Sequence, residues 1–392
     1  MADPLKVLVV GGGMYVAGRG APGYRGTVIP ALMEARRAGQ VGDIAIATTS
    51  VETAAAARTA SERIAAETGV GGKFRCFPES SDDRQAYIAA ARAVGPDAAI
   101  IVVPDHLHAG VTIPLLNRGI PCLVVKPLAG TLSDARRMRD AAARAGVVAQ
   151  VEFHKRLDES NLMMREKIRS DDLGTPLYAT VEYSQRKTVP RDIFKGWASE
   201  TSIFQYLGVH YVDLIGWATG FKPVRATAWG QKEYLSSHGI DSWDAIQAVI
   251  EWQRPDGGTF VSNFATNWID PEGTGAMSDQ RIIMVGTEGR YDADQARRGI
   301  RFTGAQGGAQ DISPYFTGAW ADDEGRLSFH GYGIGSVRRF LEDVIAVRAG
   351  TATVEALEKT RPSFTNCVAS VAVIEAVHAS IAKGNTPQPV EI

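Results

Sequence analysis

An apolar run near the amino terminus ends abruptly in glycines, and this feature restricts the fold more than any other. Residues 6–10 read KVLVV, Gly11–Gly13 follow, and a helical pattern begins near Thr27. A strand, a glycine turn and a helix in this order are typical of the first unit of a dinucleotide-binding domain, although Val16 occupies the place of the usual third glycine. Glycine leaves no Cβ in the way of a pyrophosphate, and helix amide groups attract its charge. We therefore predict cofactor contacts at Gly11, Gly13 and Met14.

Short apolar runs alternate with helical patterns as far as residue 153. The predicted strands are Leu5–Val10, Ile44–Thr48, Phe74–Phe77, Ala98–Val103, Pro121–Val125 and Val147–Phe153. The predicted helices lie near Thr27–Ala38, Val51–Glu67, Asp82–Val94, Ala109–Arg118 and Asp134–Ala145. Strands rich in Val, Ile and Ala that alternate with helices indicate a parallel sheet covered on both faces. We predict a Rossmann domain, a doubly wound parallel sheet, over residues 1–153.

After residue 153 several strands follow one another without helices between them. The predicted strands are Leu177–Ser184, Arg225–Lys232, Ala245–Gln253, Thr259–Asn267 and Arg281–Val285, with a hairpin turn at 254–258. The predicted helices are Asp158–Arg169, Ile203–Ala218, Val337–Arg348 and Arg361–Lys383. This order predicts a second α/β domain, residues 154–392, with a large, open and mostly antiparallel sheet. Its closing helices either stay in this domain or pack back on the first.

The loop Met14–Gly26 is longer than a tight phosphate turn requires and carries Arg19 and Arg25 among several glycines. Two interpretations stay open. The loop is either a surface insertion or a flexible flap that brings the arginines towards the cofactor or substrate.

The end of the second strand bears on the choice between NAD and NADP. An acidic residue there would bind the adenosine ribose, but this strand ends in Thr48 and Thr49, with no carboxylate before Glu52. A neutral end admits a 2′-phosphate, yet no arginine follows directly to bind one. Thr49 and Glu52 also fit a helix capping box. We predict cofactor contacts at Thr48 and Thr49, with a slight lean to NAD.

Two further segments follow predicted parallel strands at their carboxyl ends. One runs from Pro104 to His108 and the other begins with Lys126-Pro127. Ligands bind at this edge of doubly wound sheets, so we predict that Pro104, His108 and Lys126 contact the cofactor.

Composition excludes several classes of protein. A formal net charge of −2 provides no basic surface for nucleic acid and no polybasic membrane patch. No apolar run approaches the ~20 residues of a membrane span, and the first residues lack the pattern of a signal peptide. Three scattered cysteines favour neither a disulfide framework nor a zinc cluster, so we expect no metal and a cytoplasmic location.

With these features together, the chain resembles the Gfo/Idh/MocA family, the oxidoreductases related to glucose–fructose oxidoreductase and inositol dehydrogenase. The resemblance covers nearly the whole chain. Its marks are the glycine turn, residues 104–108, Lys126-Pro127, the helix segment Gly208-x-His210-x-x-Asp213, and Gly286-Thr287-Glu288-Gly289. It implies hydride exchange between NAD(P) and a sugar or cyclitol, and it matches the family's lysine to Lys126 and its helix histidine to His210.

Three residues depart from the family pattern. Val125 replaces the glutamate of Glu-Lys-Pro, and Tyr206 stands where many members carry an aspartate four residues before the histidine. Thr48 or Thr49 stands where NAD-preferring members place an acid. These departures concern the substrate and the cofactor more than the fold.

The chemistry assigns roles to the remaining candidates. Lys126 would stabilise negative charge on the substrate oxygen, and a histidine with an ordinary pKa near ~6.5 is suited to take its proton, which makes His210 the candidate base. Tyr206 and Asp213 lie one turn away on the same predicted helix face, Tyr206 as a rival proton carrier and Asp213 either to orient the imidazole or to bind substrate. The predicted substrate contacts are Lys126, His210, Asp213, His154 and Arg156, with a solvated basic turn as the alternative for residues 154–156.

The sequence thus predicts an NAD(P)-dependent dehydrogenase acting on a small carbohydrate or cyclitol. A hydrolase or lyase that retains NAD and oxidises a sugar transiently is the alternative. A sugar sensor is disfavoured because Lys126 and His210 are both present. Strands such as residues 245–252 carry too much apolar surface to leave one face exposed, which predicts a homodimer or homotetramer.

Overall fold

The computed structural model describes residues 3–19, 23–194, 196–305 and 308–392. They form two compact units. The first unit comprises Met1–Ala129, Ser133–Leu157 and Tyr315–Cys367, and the second comprises Gly130–Leu132, Asp158–Pro314 and Val368–Ile392. The chain therefore passes between the units more than once.

The helices and strands alternate regularly up to residue 152 and irregularly thereafter. In chain order they are β1 (Leu5–Val10), α1 (Met14–Ala17), α2 (Val28–Arg37), β2 (Val41–Ala47), α3 (Val51–Thr68), β3 (Phe74–Phe77), α4 (Ala86–Val94), β4 (Ala98–Ile101), α5 (His108–Leu116), β5 (Cys122–Val125), α6 (Leu132–Ala145), β6 (Ala149–Glu152), α7 (Glu159–Arg169), β7 (Pro176–Arg186), α8 (Val209–Thr219), β8 (Lys222–Gln231), α9 (Tyr234–Ser237), β9 (Ala245–Gln253), β10 (Thr259–Asp270), β11 (Ser278–Gly286), β12 (Arg290–Asp294), β13 (Ile300–Thr303), β14 (Ala309–Ile312), β15 (Gly318–Ala321), β16 (Leu327–His330), α10 (Tyr332–Arg348), α11 (Val354–Glu358), α12 (Phe364–Ala382) and β17 (Gln388–Pro389).

Within the described residues, the first unit contains a six-stranded sheet in the order β3-β2-β1-β4-β5-β6. The pairs on both sides of β1 are parallel, as are the pairs that extend the sheet to β3 and β6. The strands are apolar and largely buried because helices cover both faces of such a sheet. The predicted Rossmann fold is confirmed.

The segment predicted as a loop after β1 is partly helical, so that detail of the prediction was wrong. Met14–Ala17 forms the short helix α1, and the chain returns at Thr27, whose amide donates to the carbonyl of Tyr15 at 2.7 Å. Glycine is required at Gly18 (φ +75°) because an added Cβ would meet the Tyr24 carbonyl oxygen at 1.9 Å. The excursion therefore closes on the start of α2. Residues 20–22 of the predicted flap lie outside the described residues.

Residues 315–367 contribute to the core of the first unit. One apolar face of α10, with Val337, Phe340, Leu341 and Val344, belongs to the same buried cluster as β1 and α2. Asp343 on this helix accepts hydrogen bonds from the side chains of Arg361 and Gln150. Residues 315–367 are thereby hydrogen-bonded to β6 through Gln150.

As far as the structure describes it, the second unit contains a seven-stranded sheet in the order β12-β11-β7-β10-β9-β8-β17. Neighbouring strands are antiparallel except β7 and β10, which run parallel. The predicted mostly antiparallel sheet and the β9–β10 hairpin at 254–258 are therefore confirmed. The short strands β12 to β17 escaped the sequence analysis because they are brief.

Strand β9 alternates between buried and partly exposed positions. Ile246, Ala248, Ile250 and Trp252 are buried, whereas Gln247, Val249 and Glu251 lie on the other face. That other face mixes apolar and charged side chains, because the apolar content of the strand is concentrated on the covered side.

Helix α12 passes the length and composition test for a membrane-spanning helix, and 61% of its most apolar window is buried inside the protein. A core helix of a soluble protein passes the same test. The sequence analysis had noted no such run, since the helix includes Glu375 and several small residues.

Candidate active site

The carboxyl ends of β1, β4, β5 and β6 lie side by side at one edge of the first unit's sheet. The glycine turn, residues 104–108, Lys126 and His154 follow these four strands in the same order. Because the strands are parallel, all four segments lie along the edge at which doubly wound sheets bind ligands.

The two predicted cofactor glycines serve different purposes. Gly11 has φ +119°, and a Cβ added there would meet the Val102 carbonyl oxygen at 2.1 Å. Glycine at this position therefore permits the close approach of the turn to the chain after β4. Gly13 is exposed, and a Cβ added there would meet nothing within 4 Å. This open space beside exposed backbone fits a pyrophosphate, so the turn suits the predicted cofactor.

One arginine of the insertion turns back to the glycine turn. Arg19 donates from Nη1 to the Gly12 carbonyl oxygen at 3.1 Å. The other, Arg25, forms an ion pair with Glu67 of α3 at 2.6 Å. The sequence left open a surface insertion and a flap that brings both arginines towards the cofactor or substrate. The contact of Arg19 with the glycine turn supports the flap for that residue, whereas Arg25 is paired with α3.

The end of β2 is a cluster of hydroxyl groups. The Thr48 hydroxyl donates to the Ser50 carbonyl at 3.1 Å and accepts from the Thr53 hydroxyl at 2.9 Å. The capping box of α3 is formed by Ser50 and Thr53, so the predicted Thr49–Glu52 box is wrong by one residue. Thr49 is exposed beside it.

A carboxylate occupies the amino terminus of α3. Asp82 accepts a hydrogen bond from the Val51 amide at 2.9 Å. The helix α4 begins at Ala86 and not at Asp82 as the sequence suggested. A negative charge at the start of α3 disfavours a second negative group near the end of β2.

His108 contacts the backbone of both loops that follow β4 and β5. Its Nδ1 lies 2.9 Å from the Pro127 carbonyl oxygen, and its Nε2 lies 3.0 Å from that of Val103. Burial lowers the pKa of His108, while Asp105 nearby opposes this effect. Since both ring nitrogens face backbone carbonyls, the ring orders the loops that follow β4 and β5. Direct contact of His108 with a cofactor stays a prediction, as does that of Pro104.

Lys126 lies directly after β5, and its peptide bond to Pro127 is cis. Lys126 as a whole residue is partly exposed, but burial is the main influence on its ammonium group. Burial lowers the pKa of Lys126 to about 7, and the charges of Asp105 and Glu152 oppose the shift. A lysine whose pKa lies near neutrality can exchange a proton under physiological conditions, which an ordinary surface lysine cannot do.

A second polar group lies next to Lys126 on the neighbouring strand. Glu152, the last residue of β6, is buried, and its Oε2 accepts from the Tyr15 hydroxyl at 3.0 Å. Nδ1 of His154 lies 2.9 Å from the same oxygen. The His154 ring also packs against Phe316 and Tyr332, with ring centroids 5.0 and 5.6 Å apart.

The segment 154–157 forms a 3₁₀ turn, and its three basic residues are buried. A solvated basic turn, the alternative to a binding segment, would leave His154, Lys155 and Arg156 exposed. Burial of cationic side chains requires partners or a ligand, which keeps His154 and Arg156 as substrate-binding predictions.

In the second unit, His210 and Asp213 lie near the start of α8 and are both buried. Tyr206 is not on this α-helix, because Phe204–Gly208 forms a π-helical turn immediately before it. The expectation of one regular helix face for all three residues was therefore wrong. Such a turn adds a residue to the helical repeat and re-aims the side chains around it.

Aromatic side chains surround this turn. The Tyr206 ring lies 4.9 Å from that of Phe194, 6.1 Å from that of Trp197 and 6.0 Å from that of Trp268, measured between centroids. Tyr183 of β7 lies 6.4 Å from the His210 ring, and burial raises its pKa far above the ordinary value. Tyr183 is therefore a neutral hydroxyl beside the histidine.

The sequence analysis missed Tyr15, Glu152, Tyr183 and Trp268. Glu152 carried a usable signal, since an acid at the end of a buried apolar strand needs a reason. The others lack a local signal, because their proximity to the candidate residues arises from the tertiary fold. Among the described residues, no group of three or more His, Cys, Asp or Glu side chains could hold a metal ion.

Comparison with known protein families agrees with this geometry. The family described as "Oxidoreductase family, NAD-binding Rossmann fold" (GFO_IDH_MocA) matches residues 5–153, and the GFO/IDH/MocA C-terminal domain matches residues 161–292. The chain belongs to the Gfo/Idh/MocA family. The resemblance inferred from the sequence is thus confirmed.

Curated relatives match parts of the chain. Rhizopine catabolism protein MocA of Rhizobium meliloti is 28% identical over 40% of this chain and 48% of its own length. The 1,5-anhydro-D-fructose reductase of Ensifer adhaerens is 26% identical over 57% of this chain and 72% of its own. The scyllo-inositol 2-dehydrogenase (NAD(+)) of Bacillus subtilis is 23% identical over 57% and 62%. The alignment with the first thus spans about half of that relative.

Solved structures share the fold over the full length. GenD2 from gentamicin A biosynthesis, in complex with NAD, has a TM-score of 0.70 and 20% identity, covering 100% of this chain and 98% of its own. The myo-inositol 2-dehydrogenase of Lactobacillus plantarum has a TM-score of 0.69 and 17% identity, covering 99% and 100%. These likenesses establish the Gfo/Idh/MocA fold, with its Rossmann domain and its second, mostly antiparallel sheet.

Proposed function

We propose that this protein transfers a hydride between a nicotinamide cofactor and a secondary alcohol of a sugar, a sugar acid or a cyclitol. The observation that carries the proposal is Lys126, a lysine with a pKa of about 7 at the ligand-binding edge of a Rossmann sheet whose glycine turn leaves space for a pyrophosphate. Relatives named for a reductase of anhydrofructose and a dehydrogenase of scyllo-inositol support this class of substrate.

Oxidation of an alcohol removes a proton from oxygen while a hydride leaves carbon, and the bound nicotinamide supplies the hydride acceptor. Lys126 in its ammonium form would donate from Nζ to the substrate oxygen and stabilise the alkoxide character that develops there. Because its pKa lies near 7, a large fraction of Lys126 carries that proton at neutral pH.

We assign the general base to His210. A buried imidazole at the start of α8 can accept the hydroxyl proton when it is neutral. Tyr206 is the rival proton carrier, on the π-helical turn that precedes α8. Tyr183, whose pKa is far above neutrality, is a hydrogen-bond donor and not a base.

The substrate contacts proposed are Lys126, His210, Asp213, His154 and Arg156. Buried carboxylate, imidazole and guanidinium groups suit a ligand with many hydroxyl groups, since each side chain requires hydrogen bonds once it leaves water. The partly exposed rings of Tyr206 and Trp197 offer a face on which the apolar side of a sugar ring can stack.

For the cofactor we propose NAD with a slight preference over NADP. Asp82 places a carboxylate at the start of α3, where it would repel a 2′-phosphate. Arg19, bonded to the Gly12 carbonyl, is the group that would favour NADP instead. Titration of the protein with both cofactors decides the preference, and NADP binding at least tenfold tighter, ~1.4 kcal/mol, would refute it.

A hydrolase or lyase that retains NAD and oxidises its sugar transiently is the second candidate. The space at Gly13 holds a pyrophosphate equally well in either case. The two functions differ in stoichiometry, because a dehydrogenase reduces free NAD mole for mole, whereas the alternative releases product without net reduction.

The experiment that tests the function is a screen of polyols, sugars and sugar acids with NAD and NADP, following the absorbance of reduced cofactor. Turnover with at least one secondary alcohol supports the proposal. Product release without cofactor reduction from a glycoside would favour the hydrolase. We further propose that the protein is cytoplasmic and associates as a homodimer or homotetramer.

A further inference from the structure

The register between β5 and β6 places an acidic residue opposite Val125, a position at which this chain departs from the family motif. Val125 is the Cα partner of Glu152 in this parallel pair. Val125 occupies the place at which the family motif carries glutamate, directly before Lys126. Paired positions of neighbouring strands project to the same face of a sheet. The carboxylate missing from β5 is therefore supplied one strand away, by the last residue of β6.

The Glu152 side chain is fixed by donors on two elements. Tyr15, in the helix that follows the glycine turn, donates to Oε2, and His154, in the turn after β6, lies within hydrogen-bond distance of the same oxygen. Burial and then the Glu152 charge raise the pKa of Tyr15 well above its ordinary value, so its hydroxyl remains a donor. The other carboxylate oxygen, Oε1, is buried and has no hydrogen-bond partner among the described residues.

A buried carboxylate with one oxygen lacking a donor is costly, unless a nearby cation stabilises its charge. Lys126 is one such cation, because the charges of Asp105 and Glu152 both act on it. The elements around this edge also carry Tyr15 and Tyr24 of the insertion, His108 of α5, and the buried basic residues His154, Lys155 and Arg156 of the turn after β6. Among the groups named here, the carboxylates are Asp105 and Glu152.

We propose that Glu152 is a positioning residue for the reaction at Lys126, and that its carboxylate, held by Tyr15 and His154, keeps the lysine in its ammonium form when the substrate oxygen becomes negative. The inference rests on the proposed function for its catalytic consequence. The electrostatic coupling itself requires only that the Glu152 carboxylate lies near enough for its charge to act on Lys126. Since Tyr15 belongs to the segment after the glycine turn, the same contact also links the cofactor turn to the lysine.

The test replaces Glu152 with glutamine, which keeps the shape and removes the charge. We expect the pKa of Lys126 to fall by about 1–3 units, the range for loss of an opposite charge within a few ångströms. NMR of protein labelled at the lysine side chains measures that pKa, with Lys126→Met identifying the signal. The high-pH limb of the alcohol oxidation profile should move to lower pH by the same amount.

Two further variants separate charge from structure. Glu152→Asp keeps the charge and should retain most of the high-pH limb of the oxidation profile at its parent position. Tyr15→Phe removes one hydrogen-bond donor to the carboxylate and should leave that limb near its original position. If Glu152→Gln does not fold, the Asp variant still decides, because a retracted carboxylate should lower the Lys126 pKa by a smaller amount.

The outcomes distinguish this inference from the proposed function. A Lys126 pKa that is unchanged in a folded Glu152→Gln protein overturns the inference, whatever the activity. A pKa that falls while no alcohol is oxidised by the parent protein upholds the coupling and refutes the dehydrogenase.

Discussion

Replacement of Gly13 by valine is the sharpest test of the cofactor site, because the structure separates folding from binding there. A Cβ at Gly13 would meet nothing within 4 Å, and its φ of −87° is one that valine adopts. The variant should therefore fold. Gly11→Val offers the opposite case, since its Cβ would lie 2.1 Å from the Val102 carbonyl oxygen at a φ of +119°. That variant should be destabilised.

The expected loss of affinity follows from the contacts that a pyrophosphate makes with backbone amides. The valine side chain would occupy the phosphate position and remove at least two charge-assisted hydrogen bonds, worth about 1.5–3 kcal/mol each. The sum is about 3–6 kcal/mol, which corresponds to a weakening of the dissociation constant by roughly 10²–10⁴-fold. Gly13→Ala should fall between the parent and the valine variant because it introduces the Cβ alone.

The assay is a calorimetric titration with NAD and with NADP, combined with circular dichroism and a thermal melt to establish folding. Gly71→Val is the matched control. Gly71 lies in the exposed loop before β3, at the opposite edge of the sheet, and a Cβ there also meets nothing within 4 Å. It should retain the parent affinity. Unchanged affinity in a folded Gly13→Val protein would refute the assignment of the glycine turn.

Three other predictions concern catalysis and assembly. Lys126→Ala should retain cofactor binding and lose about 10²–10³ in turnover, and a steady-state rate within a few-fold of the parent would contradict the role. In the parent, oxidation should decline as the pH rises through about 7, because Lys126 then loses the proton that stabilises the alkoxide. His210→Ala should remove the low-pH limb of the oxidation profile and lower turnover by roughly 10²–10⁴-fold, since a protonated imidazole cannot accept the hydroxyl proton. If that limb survives in His210→Ala and is lost in Tyr206→Phe, the base is Tyr206. Light scattering should find a homodimer or homotetramer at micromolar concentration, because the outer face of the second sheet exposes Trp229 among other apolar side chains. A monomer at that concentration would refute the proposed assembly.

The fold was readable from the sequence wherever an apolar run was bounded by turn residues. The bounds of β1, β3 and β9 agree with the predicted ones because each run is short, β-rich and followed by Gly, Pro or a polar turn. The helix predicted as Ile203–Ala218 was one element in the sequence and two in the structure, since a π-helical turn has no local sequence signature.

The site was only partly readable, because tertiary contacts change what a residue does. His108 has the sequence context of a ligand-binding residue, yet both of its ring nitrogens face backbone carbonyls of the neighbouring loops. Lys126 was singled out by its place after β5, but its low pKa depends on burial that no linear pattern contains.

Departures from a motif at a strand end are best interpreted across the sheet, and not only along the chain. The side chains at the carboxyl ends of parallel strands share one edge, so a charge lost from one strand can be replaced by a residue in register on the next. Val125 by itself suggests that Lys126 has lost its acidic neighbour. Glu152, the partner of Val125 in the sheet, is a buried carboxylate whose charge acts on Lys126, and this is the basis of the coupling that we propose. Loss of one motif residue therefore does not by itself indicate loss of the chemistry that the motif serves.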